Sequence, residues 1–311
     1  MAKTLVTGGA GFIGSHLCER LLAKGDEVIV LDNFSSGSRA NLAHLGDKLH
    51  IIEDSLLNVK AHETALSGVT RVYHLAALIS GYDSLHDPEA YVDVNTVGLL
   101  RLIEVLRGLK DVRLIFASSS TVYGNNPNPP CSETDSPSPL TMYALSKYNG
   151  EHTLSIYQSL YEFDYVCLRL FNVYGPRQSP NHPYANVTCK FSHAAANGQS
   201  VLLYGDGEQS RDFVYVDDVV DALLLVSDNS QHQLYNVGTG QDASINDLLR
   251  EAGRAGGKPL EVERRGDWPN DIRAIRADIS RIQEEFDFCP KVQLADGIDH
   301  TVQFFRNQAG A

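Results

Sequence analysis

Between Lys3 and Leu22 the chain passes from a short apolar run into a turn crowded with glycine, Thr7-Gly-Gly-Ala-Gly-Phe-Ile-Gly14. It leaves that turn as a helix whose apolar face carries Leu17, Leu21 and Leu22. Glycine permits the tight reversal and lets a ligand approach the backbone. The unpaired N–H groups at the start of the helix, together with its dipole, favour negative charge there. The next apolar run, Val28 to Leu31, ends in Asp32, 18 residues beyond Gly14. A carboxylate at that distance, at the tip of a second strand, is placed to take the hydroxyls of an adenosine ribose. It repels a 2′-phosphate, which selects NAD over NADP, with Arg39 nearby pulling the other way.

The pattern continues as strand and helix in alternation. Leu49–Ile52, Arg71–Leu75, Leu114–Ala117 and Tyr165–Leu170 read as strands, and Val92–Arg107 and Met142–Tyr161 carry helical apolar spacing. This predicts an α/β fold, a doubly wound parallel sheet of the Rossmann type. Five of the twelve prolines fall between Asn125 and Leu140, which predicts a loop without regular structure ahead of the Met142 helix. With 43% hydrophobic residues over 311 positions, the chain has enough apolar surface for a large core or two joined lobes.

A net charge of -13 argues against nucleic acid as a partner. No leading basic-then-apolar segment and no run long enough to cross a bilayer is seen, so no membrane association and a cytoplasmic location are expected. The five cysteines are scattered and odd in number, which predicts thiols rather than disulfides. The eleven histidines show no metal-ligand spacing, and no metal is expected.

Tyr143 and Lys147 lie one helical turn apart, a spacing that can hold a phenol and an ammonium on one face. A phenol becomes a useful base only where nearby positive charge stabilises its anion, and Lys147 can supply that charge. Alone the pair reads as an ordinary solvated helix face; the glycine turn and Asp32 change its meaning.

With these motifs stand His74-Leu-Ala-Ala77, Asn95 and Ser118-Ser-Ser-Thr-Val-Tyr-Gly124, and later Arg169-Leu-Phe-Asn-Val-Tyr-Gly-Pro176, Gly205-Asp-Gly207, Arg211-Asp-Phe-Val-Tyr-Val-Asp217 and Tyr235-Asn-Val-Gly238. In this order, over nearly the whole chain, the set resembles the extended short-chain dehydrogenases/reductases, in their nucleotide-sugar epimerase and dehydratase branch. The resemblance implies an NAD-binding domain of residues 1–171 plus 211–237 and a smaller, interleaved nucleotide-sugar-binding lobe of 172–210 plus 238–311. It also implies a homodimer paired through a four-helix bundle that includes the helices bearing Asn95 and Tyr143.

For NAD the resemblance implies Gly8, Gly11, Phe12, Ile13 and Gly14 in the phosphate-binding turn, Asp32 at the adenosine ribose, and Asn33, Ser36 and Gly37 as further cofactor contacts. Ser55 stands where an Asp usually reaches the adenine, leaving Ser55 or its neighbour Asp54 to do so, and Leu56 is a further cofactor contact. Leu75, Ala76, Ala77, Asn95 and Ser118 complete the cofactor set, with Tyr143 and Lys147. For catalysis it implies Tyr143 as the base on a C4 hydroxyl, Lys147 holding the ribose and lowering the phenol pKa, and Ser119, with Thr121, hydrogen-bonded to the same oxygen. The hydroxyls of Ser118 to Thr121 can equally satisfy loop backbone at a strand end.

For a nucleotide sugar it implies Ser119, Ser120, Asn172, Asn186, Val187, Tyr204, Arg211 and Asp271. Arg211 and Asn172 would meet the diphosphate, and Tyr204 would either pack near the base or join the packing of the lobe. The segment Pro180-Asn-His-Pro-Tyr-Ala-Asn-Val187 is most similar to epimerases of UDP-glucose and UDP-N-acetylglucosamine, which makes a UDP-sugar the expected substrate.

Relatives that eliminate water place Asp and Glu in the segment aligned with Ser120 and Thr121, and here both are hydroxyls. A 4-epimerase working through a transient 4-keto sugar is therefore expected. The alternatives are a 4,6- or 5,6-dehydratase that recruits Tyr or Cys and, outside enzymes, an NAD-binding redox sensor, a class that typically lacks the Tyr and Lys pair. Trp268-Pro-Asn-Asp271 stands where Arg-Pro-Gly-Asp is usual, which turns attention to Arg264, Arg265 and Arg273. Thr141-Met142 precedes the base where Ser-Pro is frequent. Ile275, at the place that limits bulk at C2, is intermediate in size and leaves the N-acetyl question open.

Overall fold

A computed structural model describes residues 2–126, 129–180, 185–266 and 272–309. The chain divides into two compact units: unit 1 comprises Met1–Gly124, Ser136–Arg169 and Val220–Tyr235, and unit 2 comprises Asn125–Asp135, Leu170–Val219 and Asn236–Ala311.

The main sheet is built from β1 (Lys3–Thr7), β2 (Glu27–Asp32), β3 (Leu49–Glu53), β4 (Arg71–His74), β5 (Arg113–Ser119), β6 (Asp164–Leu170) and a seventh strand, Leu234–Val237. From one edge the order is Leu234–Val237, β6, β5, β4, β1, β2, β3, and the pairings from β5 through β3 are all parallel. The expected doubly wound sheet is thus present. Its strands read as unbroken apolar runs because both faces are covered: Val28 to Leu31 are all buried. Chain order reverses at β1, which lies between β2 and β4, so the crevice of this architecture opens beyond the carboxyl ends of β1 and β4. Leu234–Val237 escaped the sequence reading because it is four residues long and interrupted by Asn236, a polar side chain buried with its amide donating to the carbonyls of Cys131 and Asp278.

The Met142–Tyr161 helix has the expected bounds. Thr141 caps its start by accepting from the Ala144 N–H at 3.1 Å, and Glu162, in the left-handed region, ends it. The stretch Val92–Arg107 differs from expectation. It begins as a π-helix, Val92–Val97, and only then becomes an α-helix, Gly98–Leu106. The widened turn coincides with Asn95, which is buried and faces two partners at once. Its Oδ1 accepts from the Leu78 N–H at 2.8 Å, while its Nδ2 donates to the Leu78 carbonyl and to Ser146 Oγ, both at 2.9 Å. Apolar periodicity does not register a polar residue satisfied in this way. The Gly98–Leu106 helix then buries Leu99, Leu102, Ile103 and Leu106 in the core with Leu56, Leu114 and Phe116.

Among the described residues of the proline-rich stretch 125–140 there is no helix or strand, only a single bridge from Cys131 to Ala277. Unit 2 carries small sheets: Asn172–Tyr174 parallel to Phe213–Tyr215, Val201–Tyr204 parallel to Val262–Arg265, and Ser210–Arg211 between Ala243–Ser244 and Ala274–Ile275. Helices Val187–Asn197, Ile245–Gly256 and Leu294–Ala309 pack on one another. Asp212 ties this unit together, its buried carboxylate accepting from the N–H groups of Thr239, Gly240 and Ala277 and from the Thr239 hydroxyl. Burial pushes its pKa up against those bonds.

No helix among the described residues is long and apolar enough to cross a membrane. Among the same residues no cluster of His, Cys, Asp and Glu could hold a metal ion, and no disulfide forms.

Candidate active site

The turn after β1 is shaped by two close approaches. Gly8 has φ +71°, and a Cβ on it would lie 2.7 Å from the Ala76 nitrogen, so the β4 loop rests directly on the turn. A Cβ on Gly14 would lie 2.2 Å from the Gly8 carbonyl oxygen, so the helix can seat this low only without a side chain. Leu75 and Ala76 are fastened to the same place, donating from their N–H groups to the Thr7 carbonyl (3.1 Å) and the Thr7 hydroxyl (3.3 Å). The helix Phe12–Ala23 starts at Gly11 with no side-chain cap and no acidic residue in its first turn, which leaves the Phe12 and Ile13 end of the helix suited to an anion.

Asp32 closes β2 with Oδ2 accepting from Ala10 N–H at 2.9 Å and Oδ1 from Phe34 N–H at 2.8 Å. Each oxygen keeps acceptor capacity for a hydroxyl. Asn33 accepts from Ser35 N–H at 3.1 Å, Ser36 is exposed, and Gly37 lies against Ala10. Arg39, the residue that pulled toward NADP, is paired with Glu53 and lies 4.3 Å from the Phe34 ring centre. Ser55 caps the turn that follows it, accepting from Leu57 N–H at 3.2 Å, while Leu56 buries its side chain in the core. Asp54 accepts from His62, Asn58 and its neighbour's N–H, and these bonds hold its pKa below the usual value. An uncapped helix start, glycines that leave room and a ribose-ready carboxylate form a donor and acceptor set that fits NAD.

Beside this cradle the Met142–Tyr161 helix meets the end of β5 rung by rung. Tyr143 is hydrogen-bonded to Ser119. Ser119 Oγ accepts from the Thr121 hydroxyl at 2.9 Å and from the Thr121 N–H at 3.2 Å, so its own proton is left to point at the phenol oxygen. Lys147 Nζ donates to the Ala117 carbonyl at 2.8 Å and lies 6.0 Å from the Tyr143 ring centre. Ser118 Oγ donates to Glu151. Ser120 is buried at the start of the short helical turn Ser120–Tyr123.

The electrostatics follow from burial. The Tyr143 phenol is pushed up by desolvation, with the Ser119 bond acting against the rise. A single bond to the Ala117 carbonyl leaves the Lys147 ammonium its charge and two further N–H groups on the Tyr143 face of the helix. Lys147 itself is brought down to about 8 by desolvation. His74 is brought down to about 3, by desolvation first and the Lys147 charge second, and its neutral ring shares a 2.7 Å bond with Thr7 Oγ1.

The remaining expected contacts lie in unit 2. Asn172 opens its strand opposite Phe213 and donates from its N–H to the carbonyl of Asp212, the residue after Arg211. Asn186 caps the Val187–Asn197 helix with its side chain, accepting from Thr188 and donating to the Val173 carbonyl at 3.2 Å. Tyr204 pairs across strands with Arg265. Arg273 is bidentate on Asp206 at 2.9 and 3.2 Å, Arg265 pairs with Glu263, and Arg264 reaches the Asp206 carbonyl at 3.5 Å. Ile275 is buried beside Arg211. Asp271 and Trp268, with Asn181 to Tyr184, lie outside the described residues.

Sequence reasoning missed Glu151. The signal was there: residues 143, 147 and 151 recur every fourth position on one helix face.

Residues 4–238 match the model of the NAD dependent epimerase/dehydratase family. The chain is 42% identical to the UDP-glucose 4-epimerase of Mycolicibacterium smegmatis, over 99% of both chains. It is 33% identical to the UDP-N-acetyl-alpha-D-glucosaminuronate decarboxylase of Bacillus cytotoxicus, over 98% of both. Among solved structures, the UDP-N-acetylglucosamine 4-epimerase from Methanobrevibacter ruminantium M1, in complex with UDP-N-acetylmuramic acid, superposes with a TM-score of 0.93 at 38% identity over 99% of both chains. The chain belongs to the NAD-dependent epimerase/dehydratase family.

Proposed function

We propose that the protein interconverts the C4 epimers of a UDP-hexose, either the UDP-glucose/galactose pair or the N-acetylhexosamine pair, through a transient 4-keto sugar. The observation that carries this is the character of the groups around Tyr143. Ser119, Ser120 and Thr121 offer hydroxyls only, and the nearby carboxylate, Glu151, is held by Arg169 and Ser118. An elimination across C5 and C6 needs an acid and a base at those carbons. An epimerisation needs a single base able to take and return one hydroxyl proton.

A carbinol centre inverts only if it first becomes planar. Bound NAD would supply the hydride acceptor and donor for that change. Tyr143 takes the C4 hydroxyl proton and gives it back after the ketone is reduced on its other face. Ser119 donates to the same oxygens, kept in register by Thr121, and the charged Lys147 favours the phenolate and holds a ribose hydroxyl. In this reading unit 1 binds NAD, and in unit 2 Arg211 and Asn172 take the diphosphate, with Asn186, Val187, Tyr204 and Asp271 toward the nucleotide. The helix faces bearing Leu100, Ile156 and Leu160 are exposed, and they pair two copies as a four-helix bundle.

The test is incubation with UDP-glucose and with UDP-N-acetylglucosamine separately, without added NAD, followed by chromatography and mass spectrometry. Unchanged mass with a new retention time supports the proposal and names the sugar; loss of water means a dehydratase. Tyr143→Phe should lose turnover while retaining NAD, and full activity in that variant would sink the assignment of the base.

A further inference from the structure

We propose that Glu151, clamped by Arg169, is a positioning residue for the Tyr143–Ser119 pair and acts through Ser118. The proposal rests on Tyr143 being the base.

Three consecutive β5 residues are fixed by three successive turns of one helix. The Ala117 carbonyl receives Lys147, Ser118 Oγ donates to Glu151, and Ser119 Oγ meets Tyr143. The first and third of these rungs involve groups assigned to the chemistry. The second does not, yet it sits on the residue directly before Ser119. A shift of the Ser118 side chain toward or away from the helix moves the next backbone unit, and with it the Ser119 hydroxyl relative to the phenol.

Glu151 is itself held. Its Oε1 accepts from Arg169 Nε at 3.0 Å as well as from Ser118, and its Oε2 accepts from Arg169 Nη2 at 2.7 Å, a fork that fixes the plane of the carboxylate. The Arg169 guanidinium lies 4.7 Å from the ring centre of Tyr123, at the far end of the turn that begins with Ser120. One ion pair therefore grips the segment on both sides of Ser119. Arg169 and Glu151 are 2% and 9% exposed, and a pair so buried pays heavily in desolvation for little net stability. Its value lies in geometry, since two charges with fixed directions define one arrangement where apolar residues would tolerate several.

Two variants separate positioning from simple support of the fold. Ser118→Ala removes the rung and leaves the ion pair intact. Glu151→Asp keeps the charge and draws it back by one methylene. For each, kcat and KM for the UDP-sugar, the pH profile of kcat, the melting temperature and the bound NAD content are measured, with NAD added to saturation wherever it has been lost. The expected result is a fall in kcat of about ten- to a hundredfold with KM little changed, the loss typical of a small misplacement. The acid limb of the kcat profile should move to higher pH, because a loosened Ser119 bond no longer holds the phenol down.

Support of the fold alone would lower the melting temperature and scale the whole profile without moving its limb. Wild-type profiles in both folded variants overturn the proposal, as does an unfolded Glu151→Asp beside a wild-type Ser118→Ala. Full activity in Tyr143→Phe takes down the base assignment and the positioning role with it, whereas an inactive Tyr143→Phe beside unaffected Ser118 and Glu151 variants refutes positioning alone.

Discussion

Lys147 Nζ donates to the carbonyl oxygen of Ala117 at 2.8 Å, two residues before Ser119, the hydrogen-bond partner of Tyr143. The ammonium is buried there, 4% exposed, and desolvation brings its pKa down to about 8. The sign is simple: below about 8 the group is charged, and above it the charge that favours a Tyr143 phenolate is lost. Activity should therefore fall as pH rises through about 8. Lys147→Arg, which keeps its charge at every accessible pH, should lose that limb even if its overall rate is lower. Initial rates from pH 6 to 10 for both proteins are the check. An unchanged limb in the arginine variant would show that another group titrates.

His74 predicts a pH dependence of stability. Desolvation, with the Lys147 charge, lowers its folded pKa from 6.5 to about 3, so the native ring stays neutral where an unfolded one protonates. Between these values the unfolded state binds more protons, and stability is lost as pH falls from 6.5 toward 3. From pH 7 to 5 this residue alone should account for roughly 2 kcal/mol. Urea midpoints at the two pH values for wild type and His74→Asn measure it. The variant should be less stable at pH 7, having lost the ring stacked on Phe116, but flatter with pH. Equal slopes would remove His74 from the acid sensitivity.

The glycine turn, Asp32 and the alternation of apolar runs made the parallel sheet legible, because buried parallel strands leave continuous hydrophobic segments and a phosphate-binding turn leaves glycines at fixed offsets. Helix spacing likewise placed Tyr143 and Lys147 on one face. What each side chain would hold was not legible. Asn95 reads as one polar residue in an apolar helix until Leu78 and Ser146, 17 and 51 residues away, are brought to it. The target of Lys147 is a carbonyl, and every residue has one. Arg169 and Glu151 form their fork across 18 residues of intervening strand and helix, and no local pattern announces such a pair.

Gly14→Ala tests the cofactor cradle. The new methyl would sit 2.2 Å from the Gly8 carbonyl oxygen, a backbone atom that cannot swing aside as a side chain would. Relief requires the helix start and the turn to separate, at a cost of about 1–3 kcal/mol, typical of overpacking. The turn proposed to face the pyrophosphate is what moves. Purified Gly14→Ala should carry little NAD and need it added, with a circular dichroism spectrum close to wild type. Full retention of NAD would mean that the turn does not contact it.

The helix faces of unit 1 predict the assembly. Leu100, Ile156, Leu160 and Tyr161 are 40%, 55%, 66% and 49% exposed, while their helices are already joined by Tyr157 to Glu104 and by Arg107 over the Tyr161 ring. Exposed large apolar residues on helices braced together point to an interface, and a two-fold pairing buries the same face from both copies at once. Light scattering should give a mass of twice 34.1 kDa for the wild type. Leu160→Glu puts a charge into the face proposed to pair and should give 34.1 kDa with the melting curve otherwise preserved. A wild-type monomer at micromolar concentration, or a dimer that survives both Ile156→Glu and Leu160→Glu, would place the contact elsewhere.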